Sequence, residues 1–412
     1  MAVGNENALS TPLDRPRAQR RVLAVLSGTQ VLGGVGVGIG IAVTTLVAAS
    51  MSGSDAIGGL AQTSAVLGAA LLAVPIARTA ARSGRRAALA MAYCCAVTGA
   101  LIVVLAAVVG WWPLLLFGLL FFGGGSAAGL AARYAATDLS APGHSARDLS
   151  VVVWATTIGS IAGPNLTQPA DRLGRDLGLA PAAGPYILAA VAFGLAALGI
   201  VALLRPDPLR AGGTDPRRPA PARGGGWQTL RRSGDARLAV AAIVVSHTVM
   251  VAVMSMTPVH MNHGHATLTV VGVVISLHIA GMYALSPLVG LLADRLGRIP
   301  VLLLGMVLLT AAATLAGLSA PHDVGLLAGA LILLGIGWSC GLVAGSALLT
   351  DAVPVERRPA VQGLSDLLMN GGAALGSVAG GAVVAAFSYG ALTVIAIALV
   401  APMTVVLALG RR

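Results

Sequence analysis

The chain is divided almost end to end into apolar stretches of about 20 residues, separated by short polar punctuation. An α-helix needs about that length to cross roughly 30 Å of hydrocarbon. Twelve such stretches run over 22–48, 55–78, 87–109, 112–134, 149–170 and 182–204, then 238–258, 268–291, 299–319, 324–350, 361–386 and 389–410. Only 10% of the residues are charged and 57% are hydrophobic, where soluble domains carry roughly 25% charged residues. Such a chain needs lipid as its solvent, and the fold class expected is an all-α membrane protein with twelve transmembrane helices.

The charges orient it. All 26 basic residues are Arg. With the N-terminus in the cytoplasm, 24 of the 26 fall on the cytoplasmic side and only Arg172 and Arg175 fall outside, a positive-inside bias. The expected location is the bacterial cytoplasmic (inner) membrane, with multiple passes and both termini cytoplasmic. The net charge of +11 is then an orientation signal and an attraction for anionic lipid, so the bilayer is the partner and nucleic acid is not. Residues 1–21 lack a small-residue cleavage site and read as a retained cytoplasmic tail. Cys94, Cys95 and Cys340 lie inside apolar stretches and read as small buried residues.

One long polar segment interrupts the pattern. Residues 205–237 hold eight Arg and three Asp and read as a cytoplasmic linker between bundles 22–204 and 238–410. The two halves echo each other. Gly290-Leu291-Leu292-Ala293-Asp294-Arg295-Leu296-Gly297-Arg298 is answered by Ala81-Arg82-Ser83-Gly84-Arg85-Arg86, and Gly159-Ser160-Ile161-Ala162-Gly163 by Gly376-Ser377-Val378-Ala379-Gly380. The offsets, 213 and 217 residues, agree within loop variation, so one six-helix unit is used twice in parallel orientation.

The segment 290–298 resembles the loop signature of the major facilitator superfamily, G-x-L-x-D-R-x-G-R, and the six-plus-six layout is similar to that family's. The resemblance implies the major facilitator fold: two pseudo-symmetric six-helix bundles that rock about a central site, in a secondary carrier with no enzymatic activity and no permanently bound cofactor. It assigns Gly290, Asp294, Arg295, Gly297 and Arg298 to a gating loop. There the Asp accepts hydrogen bonds from a neighbouring helix N-terminus and pairs with Arg. In the first half the Asp position is Ala81, so that copy is degraded. The run Gly33 to Gly40 lies inside an apolar stretch with no strand before it, and reads as close helix packing, not a phosphate loop.

Chemistry is sought among polar outliers within the membrane. Residues 247–282 hold five of the seven His and five of the eleven Met. His247, Met250 and Met254 share one helix face at spacings i, i+3 and i+7, and His278 and Met282 are i and i+4 on the next helix. With those helices as antiparallel neighbours, a thioether and imidazole cage forms near mid-membrane, and such soft neutral ligands select Cu(I). A lone M-x-x-x-M is ordinarily core packing; an intramembrane His is less often filler, since its buried nitrogens need partners.

The pair Met250-x-x-x-Met254 and His278-x-x-x-Met282 resembles the signature of the CcoA-type copper importers within the superfamily. That resemblance implies inward transport of a copper ion or small copper complex, with Met250, Met254, His278 and Met282 as ligands. It also implies an intracellular copper acceptor for cytochrome oxidase assembly as partner. His260, Met261, His263 and His265 would lie at the external mouth, where they either collect copper or form a solvated His-rich loop. Asp366 either couples a proton to transport or pairs with Arg357 or Arg358. The rival function is a proton-coupled exporter of drugs or small organic molecules, for which Gly159-x-x-x-Gly163-Pro164 resembles part of an exporter motif.

Overall fold

The structure, a computed structural model, describes residues 14–213, 225–265 and 267–409; most of the expected tail and the middle of the expected linker lie outside the described residues. Among them there are twelve helices long and apolar enough to cross a membrane, and no strand. They are α1 (Arg15–Ser52), α2 (Ile57–Ser83), α3 (Arg85–Val109), α4 (Trp112–Ala135), α5 (Ser145–Asp176) and α6 (Ala183–Ala211), then α7 (Gly234–His263), α8 (Val270–Leu296), α9 (Arg298–Leu318), α10 (Val324–Asp351), α11 (Val355–Ala386) and α12 (Tyr389–Leu409). The all-helical expectation is met helix for helix, with ends that differ by several residues. The first helix begins inside the expected tail, where Arg and Ala extend it at little cost. The expected linker also carries helix: Asp207 accepts from the amides of Leu209 and Arg210, capping a turn that Pro208 opens, and Gly225–Arg232 forms a further short helix.

The chain divides into two compact units. The first comprises Met1–Ala141, Ala155–Thr229 and Val353–Leu367; the second comprises Pro142–Trp154, Leu230–Ala352 and Leu368–Arg412. The first turns of α5 therefore belong with the second unit, and the first turns of α11 with the first.

Glycine spacing builds the first unit. Along α1, a Cβ at Gly33, Gly36 or Gly40 would stand 3.0, 2.5 or 2.4 Å from the rings of Tyr93, Phe193 and Phe122. Gly34 and Gly38 face Gly159 and Gly163 of α5, where a Cβ would meet backbone at about 3.0 and 3.3 Å. One face thus admits aromatic rings and another a helix backbone, the packing that small residues allow between membrane helices. The rings of Phe122 and Phe193 lie edge to face, 5.3 Å between centroids.

The second unit repeats the pattern with a change of partners. Gly376 and Gly380 of α11 approach Thr248 and Ala252 of α7, as Gly159 and Gly163 approach α1. Helix α10, however, packs heavily on both α7 and α8, whereas α7 and α8 scarcely touch. Small residues decide this. A Cβ on Gly335 would lie 2.5 Å from the carbonyl of His278, one on Gly281 2.7 Å from that of Ile332, and one on Gly341 2.2 Å from Ser246 Oγ.

Candidate functional site

Two arginines hold repeat-related places. Arg85 opens α3 and Arg298 opens α9, each directly after a glycine in the left-handed region, Gly84 at φ 89° and Gly297 at φ 96°. In the first unit Arg85 donates from Nε to Asp138 (2.7 Å) and from Nη2 to Gln362 (2.7 Å). In the second, Arg298 donates from Nε to Asp351 (3.2 Å) and from Nη2 to Ser145 (2.9 Å). Asp138 and Asp351 are separated by 213 residues, and Ser145 and Gln362 by 217, the same two offsets found in the sequence. Their environments differ: the Arg85 and Asp138 side chains are 4% and 0% exposed, whereas Asp351 is 47% exposed.

The gating-loop residues surround this second arginine. Asp294 accepts from the amides of Ala146 (3.2 Å) and Arg147 (2.9 Å) in the first turn of α5, where unpaired N–H groups and the helix dipole favour an anion. It also pairs with Arg298 at 2.5 Å. Gly290 lets α8 approach that turn, since a Cβ there would stand 2.2 Å from Ser150 Oγ. Arg295 is exposed. In the first unit, with Ala81 at the Asp position, a different carboxylate caps the neighbouring helix: Asp207 accepts from the amide of Arg86 at 2.8 Å. Sequence reasoning missed Asp207, although the Asp-Pro pair before an Arg-rich turn is a cap signal.

One turn and a half before Asp138 in the chain lies the feature without a repeat counterpart. Arg133 of α4 donates from Nη2 to Asp366 of α11 at 2.5 Å, and the two side chains are 1% and 8% exposed. The same nitrogen donates to Tyr134 Oη at 3.1 Å, with the guanidinium carbon 4.5 Å from that ring's centroid, a cation–π geometry. Arg133 Nε and Nη1 are buried with no hydrogen-bond partner among the described residues. The expected pairing of Asp366 with Arg357 or Arg358 is corrected: Arg357 donates to Thr229 and Arg358 to the carbonyl of Val353. Asp366 lies about two turns further along the helix, roughly 12 Å at 1.5 Å per residue. The ion pair borders a cavity of about 20 Å³, lined by Asp366, Gln362, Arg85, Tyr134 and alanines of α2, α3 and α4, room for about one water.

The soft ligands are arranged otherwise than expected. The cage presumed α7 and α8 to be neighbours; α10 takes that place, for the packing reason given above. Met250 and Met282 are buried and Met254 is half-buried. His278 is fully buried, with Nδ1 2.7 Å from the carbonyl of Leu331 on α10, and its Nε2 has no hydrogen-bond partner among the described residues. His247 accepts at Nδ1 from the indole N–H of Trp338 at 2.7 Å. At the far end of α7, His260 stacks on Tyr389 (4.3 Å between centroids) and contacts the carbonyl of Ser319 at 3.2 Å. Met261 is buried, so of the four expected capture residues only His263 and His265 are exposed. Among the described residues, no three His, Cys, Asp or Glu side chains gather as a metal site.

Two repeated six-helix sets, a loop carboxylate capping a helix of the same unit and a buried ion pair between two spanning helices define a polytopic transporter of the alternating-access type. The profile of the Major Facilitator Superfamily matches residues 25–267 and 241–412, and the chain belongs to that family as a secondary transporter, not an enzyme. It is 36% identical over 394 residues to Uncharacterized MFS-type transporter YdeG of Bacillus subtilis, covering 95% of this chain and 92% of that one. It is 34% identical over 249 residues to Riboflavin transporter RfnT of Brucella anthropi, covering 60% of this chain and 59% of that one. The fold is similar to that of the human organic anion transporter MFSD10 (TETRAN), with TM-score 0.78, 16% identity and coverage of 94% and 99%.

Proposed function

We propose that the protein is a proton-coupled carrier of a small organic molecule, and that Arg133 and Asp366 form its coupling pair. The observation that supports this reading is the pair itself: one carboxylate and one guanidinium, almost wholly out of water, joining α4 to α11. Taking two charges out of water costs several kcal/mol per ion, and losing one partner strands the other. When Asp366 takes up a proton, the pair loses its attraction and becomes a neutral acid beside a cation. Arg133 keeps Tyr134, and the first turns of α11 lose their tie to α4. Release of the proton restores the tie. One proton per cycle is thereby linked to the position of one helix, which is what a carrier driven by a proton gradient requires. An organic cargo accords with the kinship to a riboflavin transporter over 60% of the chain.

The test uses purified protein in sealed liposomes, riboflavin and a panel of small organic solutes as cargo, and an imposed pH gradient. Gradient-driven accumulation is expected in the wild type and none in Asp366→Asn, which retains exchange of labelled for unlabelled cargo. Accumulation by Asp366→Asn equal to the wild type would overturn the reading.

A second reading keeps copper as transported cargo, inward, with Met250, Met254, His278 and Met282 as its path. His278 favours it: a ring nitrogen held by a carbonyl orients the other nitrogen as a ligand, the usual support for a metal-binding His. Copper-64 accumulation in the same liposomes, abolished by His278→Ala at normal abundance, is the outcome that selects it; uptake indifferent to His278 excludes it.

A further inference from the structure

A carboxylate that takes up and gives back a proton needs a route for that proton, and Asp366 has little contact with solvent. Its side chain is 8% exposed and that of Arg133 is 1% exposed. It lies eight residues past Arg358 on α11, roughly 12 Å from that residue at 1.5 Å per residue. The cavity beside it supplies what is missing. Its lining on α11 runs from Pro359, near the start of the helix, to Asp366, and its volume is about 20 Å³. All of its lining residues belong to the first unit. The packing around it is close: a Cβ on Gly363 of α11 would stand 2.3 Å from Cβ of Ala77 on α2, so the space is not a gap between loosely packed helices.

The walls suit one water. Such a molecule needs about 10–15 Å³ of cavity and two to four polar partners, and Arg85, Tyr134, Gln362 and Asp366 all line the space. The charged groups that face Asp366 are Arg133 of α4 and, across the cavity, Arg85 of α3. Arg85 is held in place by Asp138 (2.7 Å) and by Gln362 (2.7 Å), one turn before Asp366. A guanidinium only donates, and an ionised carboxylate only accepts. A water between the two therefore accepts from Arg85 and points a hydrogen at Asp366, the orientation that delivers a proton to the carboxylate. Arg85 cannot carry the proton itself, because a guanidinium keeps its charge in proteins.

We infer that this cavity binds a single water and that the water is the proton donor to Asp366. One O–H bond of the water breaks as the O–H bond of the Asp366 acid forms, and the water oxygen takes a proton from solvent at the helix end. One proton thus passes from solvent to the carboxyl and the water is regenerated; release runs the same steps in reverse. The inference rests on the coupling reading above.

The experiment is infrared difference spectroscopy on the full chain in lipid nanodiscs, stepped from neutral to mildly acidic pH, in ordinary and in heavy-oxygen water. Protonation of Asp366 is read as a carboxylic acid C=O band that Asp366→Asn lacks, and the bound water as an O–H band that moves with the oxygen isotope. In the wild type the two bands are expected to change together. Ala131→Val and Ala88→Val, from two different walls, each add two methyl groups to a space for one water. Both are expected to lose the isotope-sensitive band and to show the acid band rising several-fold more slowly after a pH jump, whereas Ala131→Gly, which leaves the space open, keeps both signals. Should one filled variant fail to fold, the other decides. An acid band with no isotope-sensitive partner, or one that rises at the wild-type rate in the filled variants, overturns the inference and leaves the coupling pair in place. No acid band from Asp366 at any pH removes the coupling pair, and the relay with it.

Discussion

Arg133 and Asp366 meet at 2.5 Å within the first unit, and the positions related to them by the repeat, Ser346 and Leu149, carry no charge. The arginine–aspartate pairs at the helix starts are present in both repeats, so they belong to the shared framework. The buried pair is the departure from it, and departures from internal symmetry are where a duplicated scaffold acquires a direction of action.

Asp366→Asn keeps the side-chain shape and the hydrogen bond from Arg133 but holds no exchangeable proton at that carboxyl. Proton movement, read with a pH dye trapped in liposomes as cargo is added, should fall to the protein-free baseline, while cargo exchange stays within about twofold of wild type.

Removing only one partner strands a buried charge. Asp366→Ala should destabilise by about 3–5 kcal/mol, and Arg133→Met with Asp366→Leu together should recover most of that, because two apolar side chains replace two desolvated ions. Thermal unfolding in detergent measures both. Failure of the double variant to exceed the single one would show that the pair is not the source of the loss.

The two framework pairs should not be equally important. Asp138 is fully buried against Arg85, whereas Asp351 is 47% exposed beside Arg298. Asp138→Ala is expected to cost about 3–5 kcal/mol and Asp351→Ala about 0–1 kcal/mol, by the same unfolding assay. Equal losses would mean that the repeat, not burial, sets their worth.

Gly84 and Gly297 both occupy backbone space that side chains rarely enter, at φ 89° and 96°. Strain there costs about 1–3 kcal/mol. A Cβ at Gly84 would also lie 2.4 Å from Asp207 Oδ2, whereas at Gly297 the nearest atom is 3.6 Å away. Gly84→Ala should therefore lower the unfolding midpoint more than Gly297→Ala; the opposite order would remove Asp207 from its capping role.

Much of this molecule is written locally. Helix number follows from runs of about 20 apolar residues, because a lipid-exposed backbone must satisfy its own hydrogen bonds. The duplication is visible in Gly290 to Arg298 and its echo at Ala81 to Arg86, since glycines at left-handed positions and helix-opening arginines leave short-range marks. Side-chain partners are not local. Arg133 and Asp366 are 233 residues apart, and nothing near Asp366 in the chain distinguishes Arg133 from the closer Arg357 and Arg358. Adjacency of helices is also decided elsewhere: α7 and α8 are consecutive, yet Gly281, Gly335 and Gly341 bring α10 up to both and take His278 and His247 as its partners.

By itself the sequence determined that this is a twelve-helix membrane protein built from a repeated unit of six, because length, hydropathy and short motifs are set by neighbouring residues and by the thickness of lipid. Only the tertiary structure decided which polar groups meet. In a bilayer a buried charge or ring nitrogen is stable only against a complementary partner, and that partner is chosen by how closely small residues let distant helices approach.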